Sequence, residues 1–159
     1  LSKSDDKELI AEAIMILGGH NYHAEKVLPY VHRYINDENA DLRYRCIICL
    51  GWIGEKEDLS ILKKCVLTER SAENKGYAVS AMRQMWFRHI DLKDDILKFC
   101  LENLANENEG LNILIYGLCI QTLLKKNVGI TESEKGITSK RLPAEIKEKA
   151  LKLLADYFM

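Results

Sequence analysis

Cys46 and Cys49 have the Cys-x-x-Cys spacing of a zinc knuckle or a redox pair. A structural zinc site takes four ligands, and no second such pair follows in the sequence. Both cysteines also fall inside an apolar helical run, as do Cys65, Cys100 and Cys119. An odd number of thiols in such places reads as reduced core residues and a reducing, cytoplasmic compartment. His20, Asn21, Tyr22 and His23, with Glu25 close by, form a turn whose imidazoles would need two further ligands before they held a metal. Asp5-Asp6 and Asp94-Asp95 sit where helices open, and there they favour the helix dipole and cap free amides. No glycine-rich phosphate loop and no Gly-x-Ser-x-Gly elbow occurs. The residue types therefore point away from an enzyme, a bound metal or a cofactor, and toward a binding surface.

The elements that must position these residues are helices. Apolar spacing predicts a first helix over 5–17 with Leu9, Ala13, Ile16 and Leu17 on one face, capped by Ser4 and ended by Gly18-Gly19. A second runs over 23–35 and is kinked at Pro29. A polar turn, Asn36-Asp37-Glu38-Asn39, leads to a third over 40–53, apolar round most of its circumference and stopped by Gly54. Further helices are expected over 57–67, 72–88, 92–104 and 109–126, the last with Leu111, Leu114, Ile115, Leu118 and Leu123 inward. A long loop over 127–142 carries Val128, Ile130 and Ile137 among polar residues and is locally basic through Lys135, Lys140 and Arg141. Pro143 opens the final helix, which turns Ile146, Ala150, Leu153, Leu154 and Tyr157 inward.

The helices repeat. A shift of 33 residues lays Glu8-Leu9 on Asp41-Leu42, Ala13-Ile14 on Cys46-Ile47 and Leu17-Gly18 on Leu50-Gly51. A shift of 32 lays Arg43 on Lys75, Cys46-Ile47 on Ala78-Val79, and Cys49-Leu50 on Ala81-Met82. Between these inner helices lie outer ones in their own register, Val27-Leu28 on Ile61-Leu62 and then on Ile96-Leu97. A helix pair this small cannot bury its apolar face alone, so successive pairs must stack. The expectation is one all-α domain over 1–159, a right-handed α-α superhelix of about four antiparallel helix pairs.

Leu28-Pro29, the aspartates of the turn, Leu42-Arg43, Cys46, and Leu50-Gly51-Trp52-Ile53-Gly54 together resemble a HEAT repeat, in particular the bacterial HEAT-like type related to phycobilisome-lyase repeats. The resemblance is close for this repeat and partial for the next, where Asn74-Lys75 stands in place of the aliphatic-Arg pair. It implies that Arg43 and Lys75 are ladder residues facing Asp37 or Asp41, and that the second helix of each repeat lines a concave face. Leu1 in place of Met, and a first helix matching the second half of a repeat, lead to the expectation of residues upstream or of an atypical cap.

Such a face is where a partner protein would bind. Its non-core positions are Tyr44, Arg45, Ile48, Trp52, Tyr77, Ser80, Gln84, Phe87, Arg88 and Tyr116; aromatics and Arg dominate interface hot spots. Arg45 and Tyr77 are equivalent under the repeat shift, as are Trp52 and Gln84, and they should form adjacent rows. The competing reading packs Tyr44, Trp52 and Phe87 against the next repeat. HEAT-like alkylpurine DNA glycosylases also use concave aromatics, which makes a DNA-binding or base-repair module the alternative function; a bilin-lyase-like chaperone has no confirming residue. Lys and Arg number 23 against 24 Asp and Glu, with the signs mixed along the 159 residues. That balance argues against nucleic acid and anionic membranes as partners, and no apolar run reaches bilayer length.

Overall fold

The computed structural model describes residues 6–20 and 23–159, and they form an all-α, HEAT-like repeat fold with one small strand pair. The chain divides into two compact units, Leu1–His89 and Ile90–Met159.

In the first unit α1 (Lys7–Gly19), α3 (Ala40–Ile53) and α5 (Ala72–Trp86) make one layer, with α3 packed between α1 and α5. Helices α2 (Ala24–Tyr34) and α4 (Leu59–Thr68) make the second layer, the latter led in by a 3-10 turn at Lys56–Asp58. The bounds of α3 match the sequence expectation at both ends. Asn39, in extended backbone, accepts the amides of Asp41 and Leu42, so two orphan donors of the first turn are satisfied. The third helix is buried on most sides, through Leu42, Cys46, Ile47, Cys49, Leu50, Gly51 and Ile53.

The layer is close-packed at two glycines. A Cβ on Gly51 would lie 2.9 Å from Cα of Ala81 and 3.2 Å from its carbonyl oxygen. A Cβ on Gly18 would strike Sγ of Cys49. Gly18 and Gly51 are equivalent under the 33-residue shift, so the same contact recurs from one repeat to the next. Beside the small residues at Ala13, Cys46 and Ala78, it is these glycines that set the helix spacing.

The first helix turns inward a different stripe from the one expected. The buried stripe of α1 is Ile10, Ala11, Ile14 and Gly18, while Leu9 and Ile16 are each 57% exposed and Leu17 is 37% exposed. Asp6 caps α1, accepting the amides of Glu8 and Leu9; Ser4 and Asp5 lie outside the described residues, as do Asn21 and Tyr22. Helix α2 runs on through Pro29.

In the second unit α7 (Gly110–Leu124) packs against both α6 (Lys93–Leu104) and α8 (Pro143–Phe158). The stretch expected as a loop folds into an antiparallel hairpin, β1 (Ile130–Ser133) with β2 (Gly136–Ser139), resting on α7. At Gly117 of α7 a Cβ would meet Ile130 at 2.6 Å and Ile146 at 2.8 Å, so hairpin and α8 close on the same point. Leu111 and Tyr157, expected inside, are 53% and 40% exposed.

Candidate functional site

Under the repeat shift, three rows should cross the exposed face of α1, α3 and α5: Glu12–Arg45–Tyr77, Met15–Ile48–Ser80 and Gly19–Trp52–Gln84. Contacts in the structure join α1 to α3 in the first and third. Nη2 of Arg45 reaches Oε1 of Glu12 at 2.9 Å. A Cβ on Gly19 would lie 3.2 Å from the Trp52 ring. Tyr44 joins Tyr77 across the helices, ring centroids 4.8 Å apart and planes tilted by 58°. Tyr44, Arg45, Ile48, Trp52, Tyr77, Ser80 and Gln84 are all half-buried, so each packs on a neighbour and still presents part of its surface.

The two ends of this face differ. Toward the helix N-termini, Asp41, Tyr44, Ser71, Glu73, Asn74 and Tyr77 line a groove of about 360 Å³. Tyr77 donates its hydroxyl to Glu73 at 3.1 Å, and burial followed by that bond pushes its phenol pKa up. Arg45 lies between Glu12 and Asp41, with its guanidinium carbon 5.8 Å from the centre of the Tyr44 ring. Toward the C-termini, Gly18, Gly19, Gly51, Trp52, Gln84, Phe87 and Arg88 line a groove of about 290 Å³. Phe87 is 55% exposed. Arg88 donates to the carbonyls of Gly51 at 3.3 Å and Gly54 at 2.9 Å, so it also caps the end of α3, where a cation meets the negative pole of the helix.

Tyr116 does not belong to this face. It is 2% exposed in the second unit, because α6, α8 and the hairpin all pack on α7. Glu12, Gly18, Gly19, Asp41 and Glu73 were missing from the sequence-based set. The 33-residue shift, which lays Glu12 on Arg45 and Gly19 on Trp52, carried the signal for two of them.

Arg43 holds the turns together, meeting Asp37 through its backbone carbonyl and taking its carboxylate partner from the next turn. Its guanidinium takes both carboxylate oxygens of Glu69 at 2.7 Å and donates to the carbonyls of Asp37 and Glu38. The Asp37 carboxylate instead accepts from Lys7 at 2.8 Å, a bond that lowers the Asp37 pKa and raises that of Lys7. Asp41 pairs with Arg45, and Lys75 forms no ion pair with either aspartate among the described residues. A groove of about 430 Å³ lies over this ladder, but Arg43 and Glu69 along it are committed to each other.

The five thiols are free and buried. Burial pushes Cys49 up to about 12 and Cys65 to about 11, with Cys46 raised further still. Among the described residues no three His, Cys, Asp or Glu side chains converge as a metal site would require. His23 pairs with Glu25 at 3.1 Å. No helix among the described residues is long and apolar enough to cross a membrane.

No curated protein and no solved structure is similar enough to the chain to count as a match. A family model described as HEAT repeats matches residues 1–83, more than half of the 159. That span holds α1, α3 and most of α5 with the repeated glycine contacts between them, and the chain belongs to the HEAT repeat family.

Proposed function

We propose that the protein is an interaction scaffold that binds a partner protein along the exposed face of α1, α3 and α5, and that it is not an enzyme. HEAT repeat proteins commonly serve as protein-interaction scaffolds and are typically non-enzymatic. The observation that carries the reading is a face on which neighbouring helices meet through side chains in register, Glu12 with Arg45, Gly19 with Trp52 and Tyr44 with Tyr77. Half-buried Tyr44, Tyr77 and Trp52 are stiff, so little entropy is lost when a partner covers them. Ile48 and Phe87 add apolar area, and Arg88 brings a cation to the C-terminal groove. Five free, buried thiols support a reducing, cytoplasmic setting.

The DNA-binding alternative draws little from the same face. Arg45 is flanked by two carboxylates, and the groove beside it carries Asp41 and Glu73. A phosphate backbone needs a surplus of cations there.

The test is affinity capture with the wild-type protein and with the Arg45→Ala/Trp52→Ala/Tyr77→Ala variant, both first checked for native helix content. The variant should lose the partner that the wild type retains. A folded variant that holds every partner would place the binding surface elsewhere. A gel shift with duplex DNA at low salt should show no complex; a salt-sensitive complex would favour the alternative.

A further inference from the structure

We propose that the outer edge of β2 receives an extended, acidic segment of a partner protein by strand addition, at a surface separate from the α1–α3–α5 face. The inference starts from Gln121 of α7. Its side-chain amide donates to the Ile130 carbonyl at 3.0 Å and accepts the Ile130 amide at 3.4 Å and the Val128 amide at 2.8 Å. Both backbone groups of Ile130 therefore point away from β2. Ile130 pairs with Ser139, and Glu132 with Ile137. In an antiparallel pair such outward-facing positions alternate, so Ile137 and Ser139 turn their N–H and C=O groups away from β1. Gln121 occupies the β1 edge at Ile130. Along β2 no hydrogen bond within the chain engages the outward groups of Ile137 or Ser139 among the described residues.

A free edge of this kind is a template for another strand. The side chains say which one. Lys135 and Lys140 flank β2 at its two ends, and both are exposed. The acids of the hairpin, Glu132 and Glu134, lie on β1 and in the turn. A second copy of β2 laid antiparallel with Ile137 opposite Ser139, so that outward groups meet outward groups, would set Lys135 opposite Arg141, and like charges directly opposite are unfavourable. A segment with carboxylates at its ends places them against both lysines. Half-buried Ile137, and Leu142 three residues past the strand and 68% exposed, give its apolar side chains something to cover.

The probe is the peptide acetyl-Glu-Thr-Val-Thr-Val-Glu-Glu-amide, titrated to several millimolar while the backbone amide signals are followed by NMR. Binding should shift the Ile137 and Ser139 amides and slow their hydrogen exchange. The same peptide with lysine for glutamate should bind at least tenfold more weakly, and so should the acidic peptide to the Lys135→Glu/Lys140→Glu variant. Ile137→Pro removes one outward donor while sparing the ladder to β1, since proline is tolerated on a strand edge. It should weaken binding by about fivefold, the worth of one net hydrogen bond, with unchanged Gln121 side-chain signals showing that the hairpin is intact. The proposal is overturned if the two amides do not respond to the acidic peptide. It is equally overturned by equal binding of the lysine peptide, by full affinity in Ile137→Pro with the hairpin intact, or by self-association through β2 without peptide.

Discussion

Arg43 and Glu69 meet through two parallel hydrogen bonds, Nε to Oε2 and Nη2 to Oε1, each 2.7 Å long. They lie 26 residues apart, in consecutive repeats, and their side chains are 14% and 4% exposed. The guanidinium holds the Glu69 carboxyl down to about 2, well below the ordinary 4.5, helped by the amides of Ser71 and Arg70. A carboxylate depressed in the folded state stabilises it fully above pH 4.5, and that stability is lost as the pH falls through about 2. The loss amounts to about 3 kcal/mol at most. Urea unfolding followed from neutral pH downward should show this acid limb. Glu69→Gln should flatten it and lower stability at pH 7 by roughly 2–4 kcal/mol, because Arg43 is left partly buried without its counter-charge. An unchanged limb in the variant would assign the acid sensitivity to other carboxylates, Asp37 first among them.

That partner was legible only in part. The HEAT resemblance implied that Arg43 is a ladder residue and that Asp37 or Asp41 is the acid it faces. The same 32-residue shift lays Asp37 on Glu69, so the acid of the next turn was the better candidate. Helix α3 was legible to the residue because Asn39 and Gly54 bracket it. The buried face of α1 was not: Leu9, Ile16 and Leu17 share helical spacing as well as Ile10 and Ile14 do, and only the position of α3 decides between the two stripes. The hairpin was hidden for a different reason. Ile130 is the one buried residue in its two four-residue strands, too little alternation to distinguish them from a polar loop. The rows across α1, α3 and α5 could be written down from the shifts alone, whereas Glu12 as the mate of Arg45 needed the packed helices.

The glycine contacts between inner helices give a second test. Gly51→Ala places a methyl against the Ala81 backbone, which cannot yield without moving α5. It should destabilise by about 1–3 kcal/mol, the ordinary cost of overpacking. Gly18→Ala meets mainly Sγ of Cys49, a side chain that truncation removes. Gly18→Ala/Cys49→Ala should therefore be more stable than the sum of its single variants implies. Gly110→Ala, where the nearest atom is 3.5 Å away, should be neutral or slightly stabilising. Thermal melts of the wild type, these variants and the Cys49→Ala single variant check the series, and strict additivity of Gly18 and Cys49 would remove that contact from the account.

The thiols should be silent in the folded protein. With Cys49 near 12 and Cys65 near 11, burial leaves almost no thiolate at pH 8. Alkylation by iodoacetamide should be about a hundredfold slower in the native state than in urea, since the thiolate is the nucleophile. Mass spectrometry of samples quenched over time reads this site by site. Rapid native labelling of Cys46 or Cys49 would mean that α3 opens locally, with Gly18 and Gly19 of α1 released from Cys49 and Trp52.

Gln121 should govern the hairpin as a unit. One amide group serves the Val128 amide, the Ile130 amide and the Ile130 carbonyl, groups that lie at the buried root of the strands, where Val128 and Ile130 are 0% and 5% exposed. Gln121→Glu keeps the oxygen that accepts both amides but replaces the donor with an oxygen facing the Ile130 carbonyl. Gln121→Ala leaves all three backbone groups unpaired. Each unpaired buried group costs about 1–3 kcal/mol, so the alanine variant should open the hairpin before the helices melt. Hydrogen exchange would then quicken from Val128 through Ser139, while the amides of α7 at Leu118, Cys119 and Ile120 keep their protection. Gln121→Glu should show a smaller loss that deepens as the carboxyl ionises and eases when acid protonates it and restores a donor. Uniform loss of protection across α6, α7 and α8 in the alanine variant would instead make the hairpin part of the cooperative core, with Gln121 one of its ordinary packing residues.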